Sequence, residues 1–175
     1  MPRFVPPALA VAIALLLAPA ALATTLQLPG GGARPQPYQG WVDRALVPTV
    51  PGAVTLDLGG CGELMACAPE GERTIALSAG EATPHVLLHE LGHVFDDAMP
   101  AWARERFMAI MRRRGAWASA SSRAPADEQF AEAYSLCARH AVIRDRYAGG
   151  YLYSPTPAQH RQVCALIRQA GGALA

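Results

Sequence analysis

The sequence predicts an α+β fold in which a short, mostly antiparallel sheet packs on a histidine-bearing helix, with a glutamate-bearing helix behind it. Three observations carry this. Short β-branched and apolar segments bounded by Pro and Gly occupy the first half of the chain, whereas helical patterns fill the second. Thr83-Pro84 and Thr156-Pro157 each join a capping side chain to a proline suited to the first helical position. Between those signals, HVLLHELGHVFDD from His85 to Asp97 sets two histidines four residues apart in an otherwise apolar run.

Ahead of the domain, Arg3 is followed by VPPALAVAIALLLAPAALA, an apolar run ending in the small residues Ala21-Leu22-Ala23. This reads as a signal peptide over 1–23, giving a secreted, extracellular chain that begins at Thr24, with no membrane segment left after cleavage. The stretch 24–40, with LPGGGARPQP, reads as a flexible mature N-terminus. Residues 41–175 form the expected single domain, since about 150 residues suffice for one core and not for two. A net charge of +1 gives no reason to expect nucleic acid as a partner, and a monomer is expected. All 15 basic residues are arginine, a bias of the kind a GC-rich genome imposes, and the 51% hydrophobic content is inflated by alanine and the leader.

The strand candidates are Trp41 to Val50, Ala53 to Leu58 and Thr74 to Ser78. The insert between the last two holds Cys61 and Cys67; with export, four cysteines suggest two disulfides, Cys61 with Cys67 and Cys137 with Cys164. The first helix should run from the Thr83-Pro84 cap to about Ala98, where Met99-Pro100 stops it. A second runs from Pro100 to Gly115, and AWASASSRA from Ala116 is a loop. A third starts near Pro125, Tyr147 to Tyr153 is a Gly- and Tyr-bearing loop, and a last helix from Thr156-Pro157 ends at Gly171-Gly172.

On a helix of about 3.6 residues per turn, His89 and His93 share a face and can converge on one ion. Glu90 projects beside them, where a carboxylate can take a proton from a metal-activated water and return it to a leaving amine. A catalytic zinc usually has three protein ligands, so a carboxylate must come from elsewhere. The best supply is DEQFAEAY, where Glu128 and Glu132 lie four apart on one helical face.

HELGHVFDD followed by E-x-F-A-E resembles the gluzincin metallopeptidases, and within them the lethal-factor catalytic domain, the Pro-Pro endopeptidases and short exported bacterial relatives. The resemblance covers the two helices and a compatible strand before them. It implies a zincin-like domain binding one Zn2+ through His89, His93 and Glu128, with Glu90 as general base and Glu132 steadying a ligand histidine; the roles of Glu128 and Glu132 are exchangeable. It also implies secreted endopeptidase activity on a peptide or protein substrate. Those relatives carry a tyrosine shortly before the third ligand to stabilise the oxyanion, yet no Tyr or His occurs between Val94 and Asp127 here. The role falls to Tyr147, Tyr151, Tyr153, His160 or an arginine, and Tyr151, directly after two glycines, is the first choice. If the donor is missing, the alternative is an inactive secreted protein with a zinc-stabilised binding or structural scaffold.

The remaining residues carry more open expectations. Asp96 or Asp97 either bonds a ligand imidazole or faces water. Gly92 leaves room for close packing or for substrate. Thr74 to Ser78 is either a rim strand on which an extended peptide can pair or a buried structural strand. His85, His140 and His160 are expected on the surface or in the core; His85, four residues before His89, could extend the imidazole row, but a fourth protein ligand would block the open site.

Overall fold

The computed structural model describes residues 23–32, 34–119 and 122–174, so the expected signal peptide, apart from Ala23, lies outside the described residues. In chain order the elements are β1 (Thr24–Gln27), α1 (Tyr38–Asp43), β2 (Gly52–Asp57), β3 (Ala66–Cys67), β4 (Thr74–Leu77), α2 (Pro84–Ala98), α3 (Ala101–Ile110), α4 (Ala126–Arg139) and α5 (Pro157–Gly172). They make a small α+β domain around a four-stranded sheet.

The sheet is mixed, which corrects the expectation of a mostly antiparallel one. Its order is β1-β2-β4-β3; β1–β2 and β2–β4 are parallel, and only the two-residue β3 runs antiparallel to β4. Parallel neighbours need a crossover between them. The segment holding α1 supplies one crossover, and the disulfide-pinned segment between β2 and β4 supplies the other.

Two further departures lie at the front of the domain. Thr24–Gln27, expected within a flexible segment, is an edge strand with Leu26 fully buried. Its backbone is completed by Gln39, whose Oε1 accepts from Leu26 N–H at 2.7 Å and whose Nε2 donates to the Thr24 carbonyl at 3.1 Å. Trp41 to Val50 is not a strand: its first three residues belong to α1, and the rest is irregular. Gln39 Nε2 also donates to Asp43 Oδ1 at 2.8 Å, a four-residue step that ties the helical turn together.

The helices follow their sequence signals more closely. Thr83 Oγ1 accepts from Val86 N–H at 3.2 Å, and Pro84 opens α2. Thr156 and Gln159 form a reciprocal capping box at the start of α5. Helix α3 ends at Ile110, short of the expected Gly115, and Arg112 just beyond it has a left-handed φ of 54°.

Helices α2 and α4 cross closely, and this contact positions the site. Phe95 packs on Tyr134 with ring centroids 5.1 Å apart, and both side chains are fully buried. A Cβ on Gly92 would stand 2.8 Å from the Ala131 Cα and 3.1 Å from its carbonyl oxygen, so glycine here serves the helix crossing. On the other side Leu26, Val54, Leu56, Ile75 and Leu77 bury the sheet face completely. Both disulfides are present as expected, with Cα separations of 5.9 Å for Cys61–Cys67 and 5.4 Å for Cys137–Cys164. Among the described residues, no helix is long and apolar enough to cross a membrane.

Candidate metal centre

Helix α2 carries His85, His89 and His93 at successive four-residue steps, and α4 answers with Glu128 and Glu132 one turn apart. His89 Nε2 lies 3.1 Å from Glu128 Oε2, and His93 Nε2 lies 3.4 Å from the same oxygen. The two rings stand edge to face with centroids 5.1 Å apart. One ligand atom from each of these three side chains falls within 4.8 Å of the others, so the set His89, His93 and Glu128 comes together as expected. Two imidazole nitrogens and a carboxylate oxygen around one point form a donor set suited to a borderline divalent ion such as zinc.

Glu132 sits deeper, with only 2% of its side chain exposed. Its Oε2 is 2.8 Å from His85 Nε2 and 3.4 Å from His89 Nδ1, and its Oε1 accepts from the Tyr147 hydroxyl at 3.0 Å. His85, His89 and Glu132 also lie within ligand distance of one another. The two carboxylates nevertheless differ. Both Glu132 oxygens face hydrogen-bond donors, whereas Glu128 Oε2 faces the nitrogens through which both histidines would hold an ion.

The electrostatics follow from this crowding. Burial works against a charged His89, but hydrogen bonds to Glu128 and Glu132 and the nearby Glu90 charge outweigh it, and its pKa rises to about 9. For Glu128 burial favours the neutral acid, yet the bonds to His89 and His93 prevail and bring it down to about 2. Glu132 is held well below the usual carboxylate range: burial again opposes ionisation and is outweighed by His85, His89 and Tyr147. Glu90 behaves oppositely. It is 7% exposed, and burial pushes its pKa up despite the histidines and the Ala68 backbone N–H.

A cavity of about 520 Å³ opens over this floor. Leu64 to Ala68, including β3, form one wall; Gly150 and Tyr151 form another; Arg104 and Trp117 line it further along. Of the two expectations for Thr74 to Ser78, the structure excludes the rim and agrees with the structural strand: β4 is hydrogen-bonded on both sides, so it cannot accept a further strand, and the edge at the cavity belongs to β3.

The three tyrosines of the 147–153 loop separate cleanly. Tyr153 is fully buried and packs in the core, and Tyr147 binds Glu132. Tyr151 faces the cavity, with its ring stacked 5.6 Å from that of His89 and its carbonyl held by Gln129 Nε2 at 2.8 Å. Burial, followed by the adjacent Glu128 carboxylate, raises its phenol to about 12. Its φ of 51° and that of Leu152, 57°, lie in the left-handed region, an uncommon conformation for residues with side chains.

Asp96 and Asp97 also line the cavity but are engaged by other partners. Asp96 accepts from Arg104 Nε and Trp117 Nε1, each at 2.8 Å, and Asp97 accepts from Gly71 N–H at 2.7 Å, so neither bonds a ligand imidazole. His160 is fully buried behind α4, where its Nε2–H donates to the His140 carbonyl at 2.8 Å. His85, whose position four residues before His89 could extend the imidazole row in the sequence, does continue that row, but it meets Glu132 and not Glu128. Nothing in the sequence marks Arg104, Trp117 or the β3 edge as neighbours of the site, because they reach it from separate elements.

The chain matches no protein-family model, no curated protein and no solved structure.

Proposed function

We propose that this chain is an exported, zinc-dependent endopeptidase with a zincin-like catalytic domain of the gluzincin kind. One observation carries the reading: His89 Nε2 and His93 Nε2 converge on Glu128 Oε2 on the floor of an open cavity, with the buried Glu90 carboxylate lining the same cavity. His89, His93 and Glu128 would hold the ion. When bound, Zn2+ would polarise a substrate carbonyl and lower the pKa of an attacking water toward neutrality.

The chain's own residues supply the rest. Glu90, its basicity raised by burial, takes the proton from the attacking water and passes it to the leaving amine. Tyr151, whose ring stacks 5.6 Å from that of His89 on the cavity wall, donates to the carbonyl oxygen as negative charge develops there. An extended substrate pairs along the free edge of β3, which Cys61–Cys67 fixes in place. The leader sequence and two disulfides fit an exported protein.

The test digests a proteome-derived peptide library with the zinc-loaded wild type, Glu90→Gln and Tyr151→Phe. Glu90→Gln should retain zinc and lose roughly 10²- to 10⁴-fold in turnover; Tyr151→Phe should lose about 10²- to 10³-fold in kcat with little change in zinc affinity. Full activity in Glu90→Gln would sink the mechanism. No cleavage by any form would favour the inactive, zinc-stabilised scaffold.

A further inference from the structure

We infer that His85 and Tyr147 are positioning residues that clamp Glu132 from two sides and thereby set the metal affinity of His89. The inference rests on the reading of His89 as a metal ligand and adds two residues to it.

Glu132 is almost completely buried, with 2% of its side chain exposed. A buried carboxylate is tolerable only when donors replace the water it has lost. His85 Nε2–H supplies one donor at 2.8 Å and the Tyr147 hydroxyl another at 3.0 Å, one to each carboxylate oxygen. With both oxygens anchored, Oε2 faces His89 Nδ1 at 3.4 Å. A carboxylate there favours the tautomer with the proton on Nδ1, which leaves the Nε2 lone pair directed toward His93 and Glu128.

The surrounding backbone fits this assignment. A Cβ on Gly149 would stand 2.6 Å from Glu132 Oε1 and 2.5 Å from the Tyr147 ring, so the loop can press Tyr147 onto Glu132 only with glycine there. From the other side, the Ser135 hydroxyl donates to the His85 carbonyl at 2.9 Å and ties the start of α2 to α4. The His85 side chain is 41% exposed at the cavity wall, so it is not part of the buried core.

The experiment titrates the full chain with Zn2+ against a competing chelator and records stoichiometry and affinity for wild type, His85→Ala, His85→Gln, Tyr147→Phe and His89→Ala. Wild type should bind one Zn2+, and His89→Ala should lose it. His85→Ala should bind about 10- to 100-fold more weakly at unchanged stoichiometry. Tyr147→Phe should weaken binding in the same direction. His85→Gln, whose amide nitrogen can take the place of Nε2–H, should recover most of the loss; a merely structural role would not give that rescue. Unchanged affinity in His85→Ala would overturn the clamp while leaving the metal centre intact. So would two Zn2+ ions in wild type and one in His85→Ala, because His85, His89 and Glu132 would then form a second metal site. A wild type that binds no Zn2+ removes the metal centre itself, and the clamp with it.

Discussion

Helix α4 carries a cluster of metal-binding residue types on each of two sides, and the two clusters have opposite characters. Toward α2 stand Glu128 and Glu132 with His89 and His93; toward α5 stands Cys137 with Cys164 and His160, also within ligand distance of one another. In the second cluster the sulfurs are bonded together, His160 gives its Nε2–H to the His140 carbonyl, and all three side chains are buried away from solvent. In the first, Glu128 Oε2 meets two imidazole nitrogens at the floor of an open cavity. Proximity of donors is therefore not enough; a site needs lone pairs left unspent and a path from solvent. The histidines register the same difference, since carboxylates raise His89 to about 9, whereas burial and neighbouring cationic groups push His160 below its ordinary value.

The largest expected effect comes from breaking the closed cluster. Replacing Cys137 and Cys164 together with Ala opens a loop of 27 residues, which should cost on the order of 3 to 4 kcal/mol in a denaturant titration. Zinc affinity at the open cluster should be little changed in the folded fraction; a parallel loss of affinity would mean that the two sides of α4 are not independent.

Gly92→Ala tests the helix contact that holds the open cluster together, because α4 must move to admit the added methyl group. Overpacking at such a contact costs roughly 1 to 3 kcal/mol, and the shift should also weaken zinc binding by separating Glu128 from the histidines. Wild-type affinity in Gly92→Ala would mean that the centre tolerates a looser crossing than its geometry implies.

The smallest effect is a slope. With its folded pKa depressed, His160 contributes stability that is fully present above its unfolded pKa of about 6.5. That contribution is lost as pH falls from there through the folded value. Unfolding free energy followed downward from pH 7 should fall more steeply in wild type than in His160→Gln. Parallel curves would show that His160 titrates alike in both states.

Local chemistry explains why much of this was legible in the sequence. The Thr83-Pro84 and Thr156-Pro157 caps, the α2 histidine register, the α4 carboxylate pair and both cysteine pairings concern neighbours along one helix or a loop with few closing partners, and all appear in the structure. Where partners lie far along the chain, the reading failed. Thr24–Gln27 is a strand because Gly52–Thr55 and the Gln39 side chain complete its backbone, and four polar-rich residues carry no periodicity that announces it.

By itself, then, the sequence determined the histidine face, the candidate carboxylates and the helix starts, because helical spacing and capping depend on residues within about one turn. Only the tertiary structure decided that the sheet is mixed, that β3 rather than β4 borders the cavity, and that Tyr151 faces the histidines while Tyr153 is buried. It also gave Glu128 and Glu132 different surroundings. Both lie on the same helical face, and they differ only in which side chains of α2 and of the 147–153 loop meet them across space.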